Sequence, residues 1–179
     1  MRVRILLFFF FLISLNSHAQ LKAKGKYEKG LKTGVWEYFE GDELFRKINY
    51  STGEILYFKP GEPKKMFVVS ADGKAQKDVQ SEPVFIGGKL AMYKYIYDNI
   101  RISSLNNSSK LTGKVAIAFT IDRDGKTKSH RIESGLAKEY DLEAVRLVKG
   151  IPDNWLPAIV EGKAVDCEYK LEVFFNVAH

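Results

Sequence analysis

The chain has 179 residues, of which 45% are hydrophobic, 13% aromatic and 28% charged, with 14 Gly, 5 Pro, 1 Cys and a formal net charge of +6. That apolar share excludes a disordered chain, the lone Cys excludes a disulfide scaffold, and five scattered Pro exclude a long polyproline spacer within it. The length fits one medium domain or two small ones.

Arg2 and Arg4 precede an apolar run from Ile5 to Leu15, and Ser17 and Ala19 then place small residues before Gln20. This layout predicts a secretory signal peptide over 1–19, cut after Ala19. The run is too short for a membrane span, which takes about 20 apolar residues. No Cys adjoins the cut, so no lipid anchor is expected on the new N-terminus. Loss of Arg2 and Arg4 would lower the net charge from +6 to +4. So weak a charge, on an exported chain, argues against nucleic acid as a partner. The one local excess is Lys22, Lys24, Lys26, Lys29 and Lys32. Such a run is ordinarily a solvated face, and the contact it could offer is to anionic lipid or cell-wall polymer.

From Gln20 the sequence is rich in aromatics bounded by Gly. Tyr27-Glu28-Lys29-Gly30 is echoed by Tyr50-Ser51-Thr52-Gly53, with Gly34-Val35-Trp36-Glu37-Tyr38-Phe39 and Gly41 between them. Alternating rings between glycines predict short hairpin strands in a thin sheet. The segment 20–61 resembles the MORN-like repeats of bacterial antitoxin-component and envelope proteins, which implies a small antiparallel β-meander. Lys59-Pro60-Gly61-Glu62-Pro63 closes the unit. Residues 62–82 are expected to hold one strand, Met66 to Ser70, a turn at Ala71-Asp72-Gly73 and a polar linker from Lys74 to Glu82. The two flanking units would then fold separately.

Beyond the linker, Leu90, Tyr93, Ile96, Tyr97 and Ile100 fall at helical spacing, and Arg101 to Lys110 is a Ser/Asn-rich loop. Val115, Ile117, Phe119 and Ile121 alternate as a strand. Asp122-Arg123-Asp124-Gly125 then turns into a second, more polar strand over Lys126 to Ser134. Asp141 is the expected cap of a second helix carrying Leu142, Val145, Leu147, Val148 and Ile151, ended by Gly150 and Pro152. Trp155 is a large anchor expected to pack on the sheet. The last segment alternates from Val165 to Val177, apolar at every second position, with Phe174 the exception on the polar side. At ~3.3 Å per residue it predicts a strand of unusual length.

Chemistry is sparse. His130, His179 and Cys167 lack zinc-type spacing, and Cys167 falls on the apolar side of its strand. His130 has the pattern of a half-buried hairpin residue, and turn geometry accounts for Asp122 and Asp124. No nucleophile elbow, P-loop or H-E-x-x-H is present. The expectation is a non-enzymatic protein with no catalytic residue, metal site or cofactor.

The ordered set Pro83, Phe85, Gly87, Gly88, then Gly113-Lys114-Val115, Phe119 to Gly125, Asp141 to Val145, Trp155, Pro157, Ala158, Gly162 and the terminal strand resembles the C-terminal domain of TonB-type energy transducers. The resemblance covers 83–177 and assigns 83–179 to an α+β domain of two helices on a three-stranded antiparallel sheet. Pro83, Phe85, Gly87, Gly88, Gly125, Trp155, Pro157, Ala158 and Gly162 are its structural positions. One departure is Arg101-Ile102-Ser103, where the family has Tyr-Pro. The resemblance further implies location in the periplasm of a Gram-negative bacterium. It implies that the terminal strand is a sheet edge whose main chain at Asp166, Cys167, Glu168, Tyr169, Lys170, Leu171, Glu172 and Val173 accepts a peptide segment of an outer-membrane receptor, of the TonB-box kind. A second copy of the chain is the other partner such an edge could take. The competing expectation is a structural envelope adaptor that grips wall polymer or lipid through the MORN-like segment.

Overall fold

The computed structural model describes residues 21–101 and 112–175. The expected signal peptide, most of the expected 101–110 loop and the end of the terminal strand beyond Phe175, with His179, lie outside the described residues.

The first unit is the expected meander. Strands β1 (Leu21–Glu28), β2 (Leu31–Glu40), β3 (Glu43–Asn49) and β4 (Glu54–Phe58) form one antiparallel sheet in chain order. The sequence echo marks its turns: Lys29 and Gly30 both have positive φ in the two-residue β1–β2 hairpin, and Gly53 has positive φ in the β3–β4 turn. Trp36 lies on the β1 backbone, where a Cβ on Gly25 would come within 2.2 Å of the indole. Only glycine fits there.

Residues 62–82 depart from expectation. Lys64–Ser70 is β5, and Gly73–Val79 is a strand, β6, paired with β5 along its whole length. Lys74 to Val79 is therefore not linker. The sequence hid it because β6 is an outer strand with water on both faces, buried only at Val79. With no buried face there is no alternation to detect.

The C-terminal unit then adds β7 (Val84–Phe85), α1 (Gly88–Asn99), β8 (Gly113–Ile121), β9 (Thr127–Ser134), α2 (Lys138–Lys149), β10 (Trp155–Leu156), β11 (Ala158–Val160) and β12 (Lys163–Phe175). Its sheet is larger than the expected three strands. The order is β6-β5-β12-β8-β9, with β11 pairing β12 as a sixth strand, because the β5–β6 hairpin joins it. α2 begins at Lys138, three residues before the expected cap. Asp141 still serves that end, since its Oδ1 accepts the Leu136 N–H at 2.8 Å.

Three cores result. The main one places Val115, Ile117, Phe119, Leu171, Val173 and Phe175 of the sheet against Met92 and Ile96 of α1 and Ala144, Leu147 and Val148 of α2. A smaller core places Leu21, Trp36, Tyr38 and Ile48 of the meander against Ile86 and Leu156 of the C-terminal unit. The third gathers Val68, Val79, Ala158 and Cys167 around the β5–β6 hairpin. The meander and the C-terminal unit thus share buried surface.

Candidate functional site: the edge of the terminal strand

β12 has two different environments along its length. Lys163 to Val165 pair with β11, and Asp166 and Cys167 pair with Val69 and Val68 of β5. On the other side, β8 pairs with every residue from Cys167 to Phe175. Cys167 is thus flanked on both sides, and Asp166 is already paired with β5. The expected edge is closed at these two positions because the β5–β6 hairpin occupies it. From Glu168 to Phe175, β8 is the only strand partner among the described residues. Tyr169, Lys170, Leu171, Glu172 and Val173 lie on this stretch.

Its two faces differ in chemistry. Toward the helices, Tyr169 packs at a tilt against Trp155 and Phe119, with ring centroids 5.0 and 5.7 Å away, while Leu171 and Val173 are buried. On the opposite face, Glu168 is buried and held from both flanks of the sheet. Lys74 of β6 reaches both carboxylate oxygens at 2.7 Å, and Arg131 of β9 donates to Oε2 at 2.7 Å. The small Ala118, paired with Arg131, lies between the strands that this arginine spans. Burial alone would raise the Glu168 carboxyl, but its hydrogen bonds from Arg131 and Lys74 outweigh that and hold it below the usual carboxylate range. Asp166 is held low in the same way, by Lys128 and Arg123 against the effect of burial. Lys170 pairs with Glu133, and Glu172 with Lys114.

α1 shares the main core with the open stretch through Met92 and Ile96. The expected apolar stripe is only partly core. Ile96 is buried, and so is Met92, which the spacing missed, whereas Leu90 and Tyr97 are 83% and 79% exposed and Tyr93 is 37% exposed. Burial first, and then the Glu172 carboxylate, push the Tyr93 phenol upward. Sequence periodicity marks apolar residues but does not say whether anything packs on them.

The structural positions fall where the chain bends or closes on itself. Phe85 pairs with Trp155 across β7 and β10, their rings 5.2 Å apart. Gly88, Gly125 and Gly162 have positive φ. A Cβ on Gly125 would lie 2.1 Å from the Trp155 carbonyl oxygen, so the β8–β9 turn packs directly on the anchor's backbone. A Cβ on Gly87 would lie 3.1 Å from both Ala91 and Phe85. Ala158 is fully buried in β11, and Pro83 borders a cavity beside Tyr169. Asp122 Oδ1 accepts the N–H groups of Asp124 and Lys126, which is turn geometry. Half-buried His130 stacks on Phe119, and burial lowers its pKa.

In the meander, the lysine run divides. Lys22, Lys24, Lys26 and Lys29 are exposed, while Lys32 lies over the Trp36, Tyr38 and Tyr50 rings at 5.0–5.4 Å and donates to the Tyr38 hydroxyl at 3.0 Å. Lysines on an outer strand such as β1 block unwanted pairing, which accounts for the exposed row.

Residues 105–177 match the model of the family described as the C-terminal region of the Gram-negative bacterial TonB protein, a match that spans less than half of the chain. No curated protein and no solved structure matches the chain.

Proposed function

We propose that this chain is a non-enzymatic periplasmic binding protein that takes a short strand of an outer-membrane TonB-dependent transporter onto the open side of β12. One observation carries this: from Glu168 to Phe175 the strand has a partner on one side only among the described residues. An extended segment added there gains main-chain hydrogen bonds, each worth about 0.5–1.5 kcal/mol net. The family match over 105–177 supports the class of partner and the compartment. α1 carries Leu90, Tyr93 and Tyr97 as exposed apolar surface. Ordering of the added segment consumes much of the gain, so short peptides bind in the μM–mM range.

Proline at consecutive positions tests the proposal, because successive N–H groups along a strand point to opposite sides. Of Tyr169→Pro and Lys170→Pro, one removes an amide bonded to β8 and the other removes an outward amide. The variant that retains native circular dichroism is expected to lose binding of an extended transporter peptide. Wild-type affinity in that variant would refute strand addition.

A further inference from the structure

The β5–β6 hairpin already lies against one end of β12, and it brings a charge with it. Lys74 of β6 is in register with Val69 of β5, and Val69 with Asp166 of β12. Residues in register share a face of a sheet, and so do residues two apart on one strand. Lys74, Val69, Asp166 and Glu168 therefore stand on one face, the side away from the helices. There Glu168 sits at the centre of a row of alternating charge. Arg131 reaches it from the β8–β9 side and Lys74 from the hairpin side, each at 2.7 Å.

The next two charged side chains of that face have only half of such a row. Lys170 pairs with Glu133 of β9 at 2.6 Å, and Glu172 with Lys114 of β8 at 2.6 Å. Both counter-charges come from the β8–β9 side. On the other side β5 pairs with β12 only at Asp166 and Cys167. Among the described residues no counter-charge reaches Lys170 or Glu172 from there. These two pairs stay half-exposed, whereas Glu168 is buried.

We infer that the partner strand, on the strand-addition reading, completes these rows with an acidic side chain opposite Lys170 and a basic side chain opposite Glu172, two residues apart. Glu133, Lys170 and the acid then form one row, and Lys114, Glu172 and the base another. Arg131, Glu168 and Lys74 are the precedent within the chain. The requirement holds for either direction of the added strand, because opposed residues share a face in parallel and antiparallel pairs alike. Direction decides only whether the acid or the base comes first.

Five acetylated and amidated heptapeptides test this. Each is Thr-Val-X-Val-Z-Val-Thr, where X and Z are Glu and Lys, Lys and Glu, Gln and Gln, Glu and Glu, or Lys and Lys. Amide shifts of the ¹⁵N-labelled protein at low salt report both affinity and place. At least one of the two opposite-charge probes is expected to bind roughly three- to tenfold more tightly than the Gln probe and both like-charge probes. The Tyr169 to Val173 amides should shift with it, and the order that binds better reports the direction of the added strand.

The margin over the Gln probe should vanish in about 1 M NaCl. It should vanish also in the Lys170→Gln, Glu172→Gln double variant, which keeps the Gln-probe affinity because both side chains lie at the surface. Equal affinities for the opposite-charge and Gln probes, with β12 amides shifted, would overturn the charge rows and leave strand addition standing. Tightest binding by the Glu and Glu probe would reflect the net positive charge of the chain and would overturn them too. So would a margin that survives in the double variant. Unshifted β12 amides with every probe would refute both readings.

Discussion

Arg46 and Pro157 lie 111 residues apart, yet the Arg46 guanidinium, fully buried in β3, donates to the Pro157 carbonyl oxygen at 2.7 Å. It also donates to the Ser81 hydroxyl. Burial lowers the Arg46 pKa to about 10, and the nearby Tyr50 and Tyr38 oppose that shift. One fully buried side chain therefore ties the meander, the segment after β6 and the β10–β11 bend together. Truncation strands buried acceptors. Arg46→Ala is expected to cost about 2–4 kcal/mol. Urea unfolding should be a single transition in both proteins. Two resolved transitions in the wild type would show that the shared core around Ile86 and Leu156 does not couple the units.

Gly125 is irreplaceable for two reasons. Its φ of +79° is one that side chains avoid, and a Cβ would enter the Trp155 carbonyl. Gly125→Ala should lower stability by at least ~1 kcal/mol from the backbone alone, with the clash added. Gly30→Ala has the φ term without the clash, and should cost clearly less in the same melt.

Acid should loosen the polar face of the C-terminal sheet. Glu168 titrates below its unfolded value in the native state, so the unfolded chain takes up the proton first as pH falls. Its contribution is complete above the ordinary carboxylate range and is lost as pH drops through the lowered native value. Glu168→Gln should flatten the fall in stability below about pH 5 relative to the wild type. An unchanged profile would assign acid sensitivity elsewhere, Asp166 being the next carboxylate held low.

Cys167 is fully buried, and burial, followed by Glu168 and Glu82, pushes its thiol up to about 12. Iodoacetamide at pH 8 should leave the native protein unmodified and alkylate it fully in urea, as read by intact mass.

The sequence exposed those elements that carry a periodic signal. β12 was legible in its length and in its apolar side, because each of its faces meets one kind of environment. β8 was legible for the same reason; β9, which has no buried residue, was legible from the Asp122 to Gly125 turn that leads into it, and α2 was legible although Leu142 of its expected stripe is 61% exposed. β6 was not, since six of its seven residues face water. β5 was legible as a strand but not as a member of the C-terminal sheet, so the open-edge expectation fails at Asp166 and Cys167, which β5 pairs. Arg46 gave no signal either. An arginine inside an alternating strand looks solvent-facing until a distant backbone carbonyl arrives to receive it. The exposed side of α1 was hidden by the opposite problem: Leu90, Tyr93 and Tyr97 have core chemistry and helical spacing, and only the packing shows that nothing covers Leu90 and Tyr97 among the described residues.

Amide hydrogen exchange along β12 is the most direct measurement of the central claim. In the protein alone, exchange should alternate from Tyr169 to Val173, with slow amides bonded to β8 and fast ones facing outward. Asp166 and Cys167, closed by β5, should be slow together. Addition of a soluble, extended periplasmic segment of a TonB-dependent transporter should slow the fast set and leave the slow set unchanged. Uniformly slow exchange before the segment is added, or fast amides that stay fast with the segment at saturation, would contradict strand addition at this edge.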